Sequence, residues 1–307
     1  VAFAAKILAD SLSPDGVRLT TFEVTFPRII LSEFNTHRQF SRNSASSRAI
    51  PVEKMIKRVM EDPYVPSSWG KNQKGMSADE NIYGLGAENA LSAWYNARDS
   101  AIRYARKLLE IGVHKQLTNR LLEPFMWHTV ICTSTEWVNF FHLRNNAQAH
   151  PDIQTIAKMM QVLYESPLEL RKLNYGEWHL PLVQRTEDMH ALFDAGLAQV
   201  DNADSLIDEL LVKISVARCA RVSYLTHDGK RDIQADLNLY DKLLTSGHLS
   251  PFEHVARPVK VFAGPDVNDD AYRVVFDGAH NPWCGNFRGW VQYRKLIPNE
   301  SDILGKA

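Results

Sequence analysis

The 307-residue sequence has little of what marks several protein classes. Its only cysteines are Cys132, Cys219 and Cys284, widely spaced and without a C-x-x-C pair. That argues against a disulfide framework or a zinc ribbon and points to a reducing, cytoplasmic setting. No run approaches the roughly 20 apolar residues of a membrane span, and the opening VAFAAKILAD turns polar too soon for a secretory signal. There is no charge excess either: 35 basic residues against 36 acidic ones leave a net charge of −1. No whole-protein field is then available to hold a nucleic-acid polymer or an anionic membrane, so any anionic ligand must be met by a local cluster. No H-E-x-x-H spacing supports a metal, and GLGAEN at Gly84 is a partial G-x-G-x-x-G with no strand before it, so a dinucleotide fold is not expected.

What is present reads as an ordinary globular chain, 45% hydrophobic and 23% charged. Arg18 to Leu31, rich in Thr, Val, Ile and Phe, reads as strand, with Pro27 marking an edge or bend. The polar stretch from Asn35 to Pro51 reads as a functional loop or helix start, and Pro63 to Ile82 as a surface excursion. Helical spacing predicts a helix through Leu91, Trp94, Ile102 and Leu109, ended by Gly112, and others from about Thr135 into FFHLR and from Pro151. Further helices fall in LIDELLVKISVARCARVSYL and LNLYDKLLTSG, separated by the polar THDGKRD, before short strands around PVKVF and YRVVF. The expected fold class is α+β, an antiparallel sheet with a helical bundle. Residues 1–200 carry a strand unit and the helical region and 201–307 a second strand unit, the two forming one catalytic domain. LTTFEVTFPRIIL is echoed by LSPFEHVARPVKVF, which leaves a duplicated strand-and-loop unit open.

The richest cluster is THRQFSRNSASSR, Thr36 to Arg48. Arg38 and Arg48 can cradle phosphates, while the intervening hydroxyls and amide offer short neutral hydrogen-bonding groups. A solvated basic loop is the alternative for such a cluster taken alone. The segment resembles, in spacing from end to end, the flavin-dependent thymidylate synthase signature R-H-R-x-x-S-x-N-E-x-S-x-R. It departs from it at Thr36, where the family has arginine, and at Ser44, where the family has glutamate. WVNFFHLRNNAQAHPDI is similar to the family's N-F-L-x-L-R segment, with Asn139 at a flavin position and Arg144 where the family meets the uracil ring. GVHKQLTNRLLEP resembles the helix whose arginine, here Arg120, binds the nucleotide phosphate. SGHLSPFEH matches G-H-x-[ST]-P-F-E-H, but lies far downstream of the signature, whereas in the family it precedes it. The segment WVQYRKLIPNE, with Arg294, Asn299 and Glu300, would then be a degenerate second signature.

The resemblance implies FAD-dependent conversion of dUMP to dTMP, with methylenetetrahydrofolate and NADPH as co-substrates. In that scheme Ser44, Ser46, Arg48, Arg120 and Arg144 meet the nucleotide, Arg144 being the catalytic group that polarises the base. His37, Arg38, Ser41, Asn43, Asn139, His248, Ser250 and Glu253 orient FAD. No nucleophile and no metal is required. The resemblance also implies a homotetramer, or a homodimer if the chain is internally duplicated. His142 and His150 read as ordinary helix residues, and Cys284 as a packed small hydrophobe. Two other readings stay open: hydroxymethylation or another one-carbon transfer to dUMP or dCMP, and a nucleotide-binding module without catalysis.

Overall fold

A computed structural model describes residues 2–166, 170–199, 204–222, 231–260, 274–298 and 300–301. The chain opens with a strand that its composition did not announce, β1 (Ala4–Leu12). It returns through a turn in which Gly16, at φ 76°, takes a left-handed conformation open to glycine. β2 (Arg18–Pro27) runs antiparallel to β1 and, on its other side, to β4 (Trp127–Ser134). A strand hydrogen-bonded on both sides and covered on both faces needs apolar and β-branched residues throughout, which is the composition of RLTTFEVTF. The strand ends at Pro27, short of Leu31, because proline offers no N–H to continue the ladder. The chain then turns through a 3-10 segment, Arg28–Ile30, into α1 (Leu31–Asn35).

The polar stretch expected as a loop contains an edge strand, β3 (Ser41–Ser44), paired antiparallel with β4. With β5 (Arg171–Lys172), parallel to β1, the main sheet has the order β3-β4-β2-β1-β5. Behind it lie α5 (Val138–Arg144) and α6 (Pro151–Glu165). Phe22, Val24 and Phe26 of β2 pack there with Phe34, Phe40, Phe140, Ile153, Ile156 and Met160. α5 starts at Val138 rather than Thr135, because the Ser134 hydroxyl accepts from the Glu136 N–H and the Ser134 carbonyl accepts from the Trp137 indole.

α2 (Val52–Glu61) buries Val52, Met55, Ile56 and Val59, a spacing that sets one helical face inward. α3 (Leu85–Glu110) is longer than its periodicity suggested and buries only Ile102 and Ala105. Between these two helices, residues 63–82 form no regular element beyond an isolated Gly70–Asn81 bridge. α4 (Lys115–Thr118) leads into the 3-10 segment Asn119–Phe125 and so into β4.

A second core is formed by α7 (Arg185–Asp194), α8 (Asp204–Arg221), α9 (Ile233–Thr245) and the 3-10 segment Ser250–His254. Its helices are joined by a buried charge network. Arg218 donates to both Asp188 oxygens at 2.8 Å and to Asp236 at 2.9 Å, and Arg221 donates to Asp236 at 2.7 Å. The second echoed segment is therefore a 3-10 turn followed by β6 (Ala256–Pro258), which pairs with a strand near the chain's end, Trp290–Gln292. Val261 and Phe262 of that segment, most of THDGKRD, Tyr272, Arg273 and Asn299 fall outside the described residues. β7 (Val275–Phe276), β8 (Pro282–Cys284) and β9 (Phe287–Arg288) make a small sheet beside that last strand, β10.

Asp236 is fully buried against two guanidinium groups. Replacing it with alanine leaves both charges without their shared partner, and we expect a loss of about 3–5 kcal/mol in urea unfolding. A loss under ~1 kcal/mol would show that the network contributes little to stability.

Candidate functional site

The pairing of β3 with β4 sorts the polar residues of the signature. Ser41 and Asn43 turn to the buried face, while Arg42 and Ser44 are part-exposed. Beyond the strand, the turn from Ala45 to Ile50 is clamped from outside. Asn119 Nδ2 donates to the carbonyls of Ser47 (2.7 Å) and Ile50 (2.9 Å), and Lys115 Nζ donates to that of Ala49 (3.2 Å). Glu123 accepts from Ser47 Oγ at 2.8 Å and Arg120 at 2.7 Å, with Arg28 at 3.5 Å.

These contacts shape a cleft of about 380 Å³ that Arg28, Arg42, Arg48 and Arg120 line together. Of the residues expected to form a site, Asn43, Ser44, Ser46, Arg48, Arg120, His248 and Ser250 all line it. The last two arrive from the far end of the chain, on the turn that follows α9. Among the described residues no carboxylate lines the cleft, although Glu123 is within hydrogen-bonding reach of Arg120.

Arg144 and His37 form a separate cluster. Arg144 Nε donates to His37 Nε2 at 2.9 Å, and its Nη2 donates to Thr36 Oγ1 at 2.8 Å. Burial, with the positive charges of Arg144 and Arg42, lowers the His37 pKa to about 4, so at neutral pH the ring is uncharged with Nε2 accepting. Arg42 ties this cluster to the cleft, donating to the His37 carbonyl at 3.2 Å while lining the cleft itself. Arg38 and Asn139 are exposed and do not line the cleft. Ser41 accepts from Gln292 at 2.9 Å, and Glu253 accepts from Arg294 at 2.5 Å. Arg294, the first residue of the degenerate second signature, is thus engaged with Glu253 and, at 2.6 Å, with Glu300.

Beneath the cleft runs a buried chain of hydroxyl and imidazole groups. Ser11 Oγ meets His179 Nδ1 at 2.9 Å, and His179 Nε2 meets Thr21 Oγ1 at 2.8 Å. Thr21 meets Thr133 at 2.7 Å, and Thr133 meets His254 Nδ1 at 2.8 Å. His254 Nε2 faces the Asn43 amide at 3.4 Å. The amide is best satisfied with its nitrogen on that side, donating to the Arg42 carbonyl (3.0 Å) and to Ser250 Oγ (3.2 Å). Thr21, Thr133, His179 and His254 are wholly inaccessible, and burial lowers both imidazole pKa values to about 3. Neutral rings, each with one donor and one acceptor, let the chain be satisfied from Ser11 to Asn43.

Residues 17–166 match Thy1, the thymidylate synthase complementing protein family. Over that segment the chain is similar to the Thy1 family. A flavin-dependent thymidylate synthase from Thermosipho melanesiensis is 28% identical over 145 residues, covering 45% of this chain and 58% of that protein. The chain thus spans little more than half the length of that curated relative. Among solved structures, the UMP/dUMP methylase PolB from Streptomyces cacaoi bound with 5-Br UMP aligns at a TM-score of 0.42 and 16% identity, over 53% of this chain and 88% of that one. The same protein bound with 5-Br dUMP aligns at 0.39 and 17%, over 48% and 65%. Arg28, the β3 residues, Arg48 and Arg120 all lie inside the Thy1 segment, whereas His248, Ser250 and the His254 end of the buried chain come from outside it. Arg28, Arg42, Asn119 and Glu123 were missed in the sequence. Arg42 holds a variable position of the signature, and the other three gain their meaning only from long-range contacts.

The histidines make stability depend on pH with a definite sign. His37, His128, His179 and His254 have pKa values of about 4, 3, 3 and 3, against an ordinary 6.5. Between those values and 6.5 the unfolded chain binds protons that the folded chain refuses, so stability is full above pH 6.5 and falls as the pH drops below it. Urea midpoints from pH 8 to 5 should decline below 6.5, and His254→Gln should flatten that decline while lowering stability at pH 8. An unchanged slope in this variant would rule out the buried ring as a contributor.

Proposed function

We propose that the chain is a FAD-dependent enzyme that transfers a one-carbon unit to a pyrimidine deoxynucleotide, converting dUMP to dTMP with methylenetetrahydrofolate and NADPH. The observation that carries this reading is the convergence of four arginines on a cleft that no carboxylate among the described residues lines, with Ser46 and Asn43 beside them. Fixed guanidinium forks bind a phosphate dianion bidentately, and the walls behind them are already held by Asn119 and Glu123, so little ordering is needed on binding. In this reading Arg48 and Arg120 hold the 5′-phosphate, with Arg28 and Arg42 behind them, and Ser46 and Ser44 hydrogen-bond to the sugar end.

Asn43, His248 and Ser250 would hold part of a flavin, since they combine an amide, an imidazole and a hydroxyl on the cleft wall. His37, Arg38, Ser41, Asn139 and Glu253 would form an outer shell to that cofactor, reached through Arg42. When bound, FAD would supply the two-electron redox chemistry of the transfer. Arg144 spends Nε and Nη2 on His37 and Thr36. In this reading its Nη1 is left to polarise the base, and the two hydrogen bonds restrict where that nitrogen can turn.

The test is incubation of FAD-loaded protein with dUMP, methylenetetrahydrofolate and NADPH under anaerobic conditions, followed by mass analysis of the nucleotide. We expect a gain of CH2. A gain of CH2O would replace the reading with hydroxymethylation, and an unchanged nucleotide with both dUMP and dCMP would sink it. Arg120→Ala should weaken dUMP binding by about 10- to 100-fold, the loss of one charge-assisted fork. Arg144→Lys should lower kcat more than it raises KM, which checks that its contribution falls on turnover.

A further inference from the structure

Next to the nucleotide cleft lies a second cavity of about 550 Å³, between the signature turn, α4 and the end of α9. The two share Ser46, Arg48 and His248 as a common wall. The second adds Lys115, Lys242 and His114, and no carboxylate among the described residues lines it either. In a chain whose charges balance overall, this concentration of one sign is local and unusual. Several cations elsewhere have carboxylate partners, as Arg18 has Asp10, Arg218 has Asp188 and Arg294 has Glu253, whereas Arg48 and Lys242 reach solvent at the cavity's rim. Arg48 and Lys242 have no ion pair with any described residue, and Lys115 is satisfied only by the Ala49 carbonyl.

Like charges gathered without counter-charge repel one another, and a folded protein tolerates this most readily where an anion relieves it. The apolar side of the cavity, Leu239 and Leu243, narrows the space through which solvent can screen the lysines. Lys115 is also fixed by its bond to the turn, so its charge is held beside Arg48 rather than dispersed into solvent.

We propose that Lys115 and Lys242, with Arg48 as the shared wall, form a second phosphate subsite adjoining the nucleotide cleft. Its ligand chemistry is a phosphate group beyond the one on Arg48 and Arg120, carried either by the same nucleotide as a polyphosphate or by a second ligand. The placement of the first phosphate rests on the function proposed above. The subsite itself does not, because a bare pyrophosphate should occupy it whatever base the protein recognises.

Calorimetry at fixed ionic strength with inorganic pyrophosphate, dUMP and dUDP tests this on the intact chain, Lys242→Gln and Lys242→Arg. We expect dUDP to bind about tenfold more tightly than dUMP, the gain from one added charge-assisted contact. That advantage, and pyrophosphate binding, should fall to within about twofold of nothing in Lys242→Gln and return in Lys242→Arg, with dUMP affinity unmoved. Pyrophosphate displaced by dUMP assigns the subsite to a polyphosphate bridging both cavities. Pyrophosphate that binds beside saturating dUMP, still dependent on Lys242, assigns it to a second ligand. Pyrophosphate binding that depends on Lys242 while dUMP fails to bind would retain the subsite and remove the nucleotide reading. Equal affinities for dUMP and dUDP, or a dUDP advantage that survives Lys242→Gln, overturns the proposal.

Discussion

The pairing of four residues, Ser41–Ser44, with β4 is the constraint on which the rest of the site depends. A strand alternates its side chains strictly, so one ladder sends Ser41 and Asn43 inward while Arg42 and Ser44 stay part-exposed. A one-residue slip would put the Arg42 guanidinium against Thr133 and His254 in the core and leave Asn43 in solvent. The partner strand is well suited to hold that register. β4 is bonded to β2 along its full length and its own residues are almost wholly buried, so the edge strand docks on a surface already fixed.

The inward side of that ladder explains why so much hydrogen-bonding potential is buried in the sheet. Asn43 would be costly to desolvate alone, but it ends a chain of hydroxyls and neutral imidazoles in which each group has a partner. The same chain joins β1, β2 and β4 to the residues around 179 and 254, which are distant in sequence. A polar thread through an apolar core costs some stability relative to well-packed hydrocarbon, and what it adds is definition, since each buried member must keep its partner. The outward side works by a different balance. Arg42 is half-buried and its pKa is lowered by burial, while Arg28 and Arg120 share Glu123, so the cleft keeps its positive field without leaving every guanidinium unpaired.

How far this was readable from sequence depended on the range of the interactions. β2 was legible because a doubly covered central strand needs a continuous run of strand-forming residues, and its end was legible because Pro27 cannot extend a ladder. Arg48, Arg120, Ser46 and His248 were legible as a set only through spacing that resembles a known family, since nothing in their local composition joins residue 48 to residue 248. β3 was hidden for a physical reason: SRNS has poor intrinsic strand propensity, and its conformation is imposed by β4. α3 shows the opposite failing of periodicity, which finds a helix but not how little of it is covered.

The displaced order of the motifs follows from the same distinction. A cleft requires that its side chains share a place, not that they follow one another, and Ser250 reaches it because its 3-10 turn packs on β3 through the His254–Asn43 contact. The turn is braced from behind by Tyr240, Phe252 and Tyr293, with the Phe252 and Tyr293 rings stacked at 5.9 Å, and by the ion pair of Arg294 with Glu253. Arg294 and Glu253, which stood in the sequence as members of two separate motifs, therefore spend their charges on each other. That exchange converts a segment resembling a second signature into a buttress, and it keeps Arg294 out of the cleft that β3 builds.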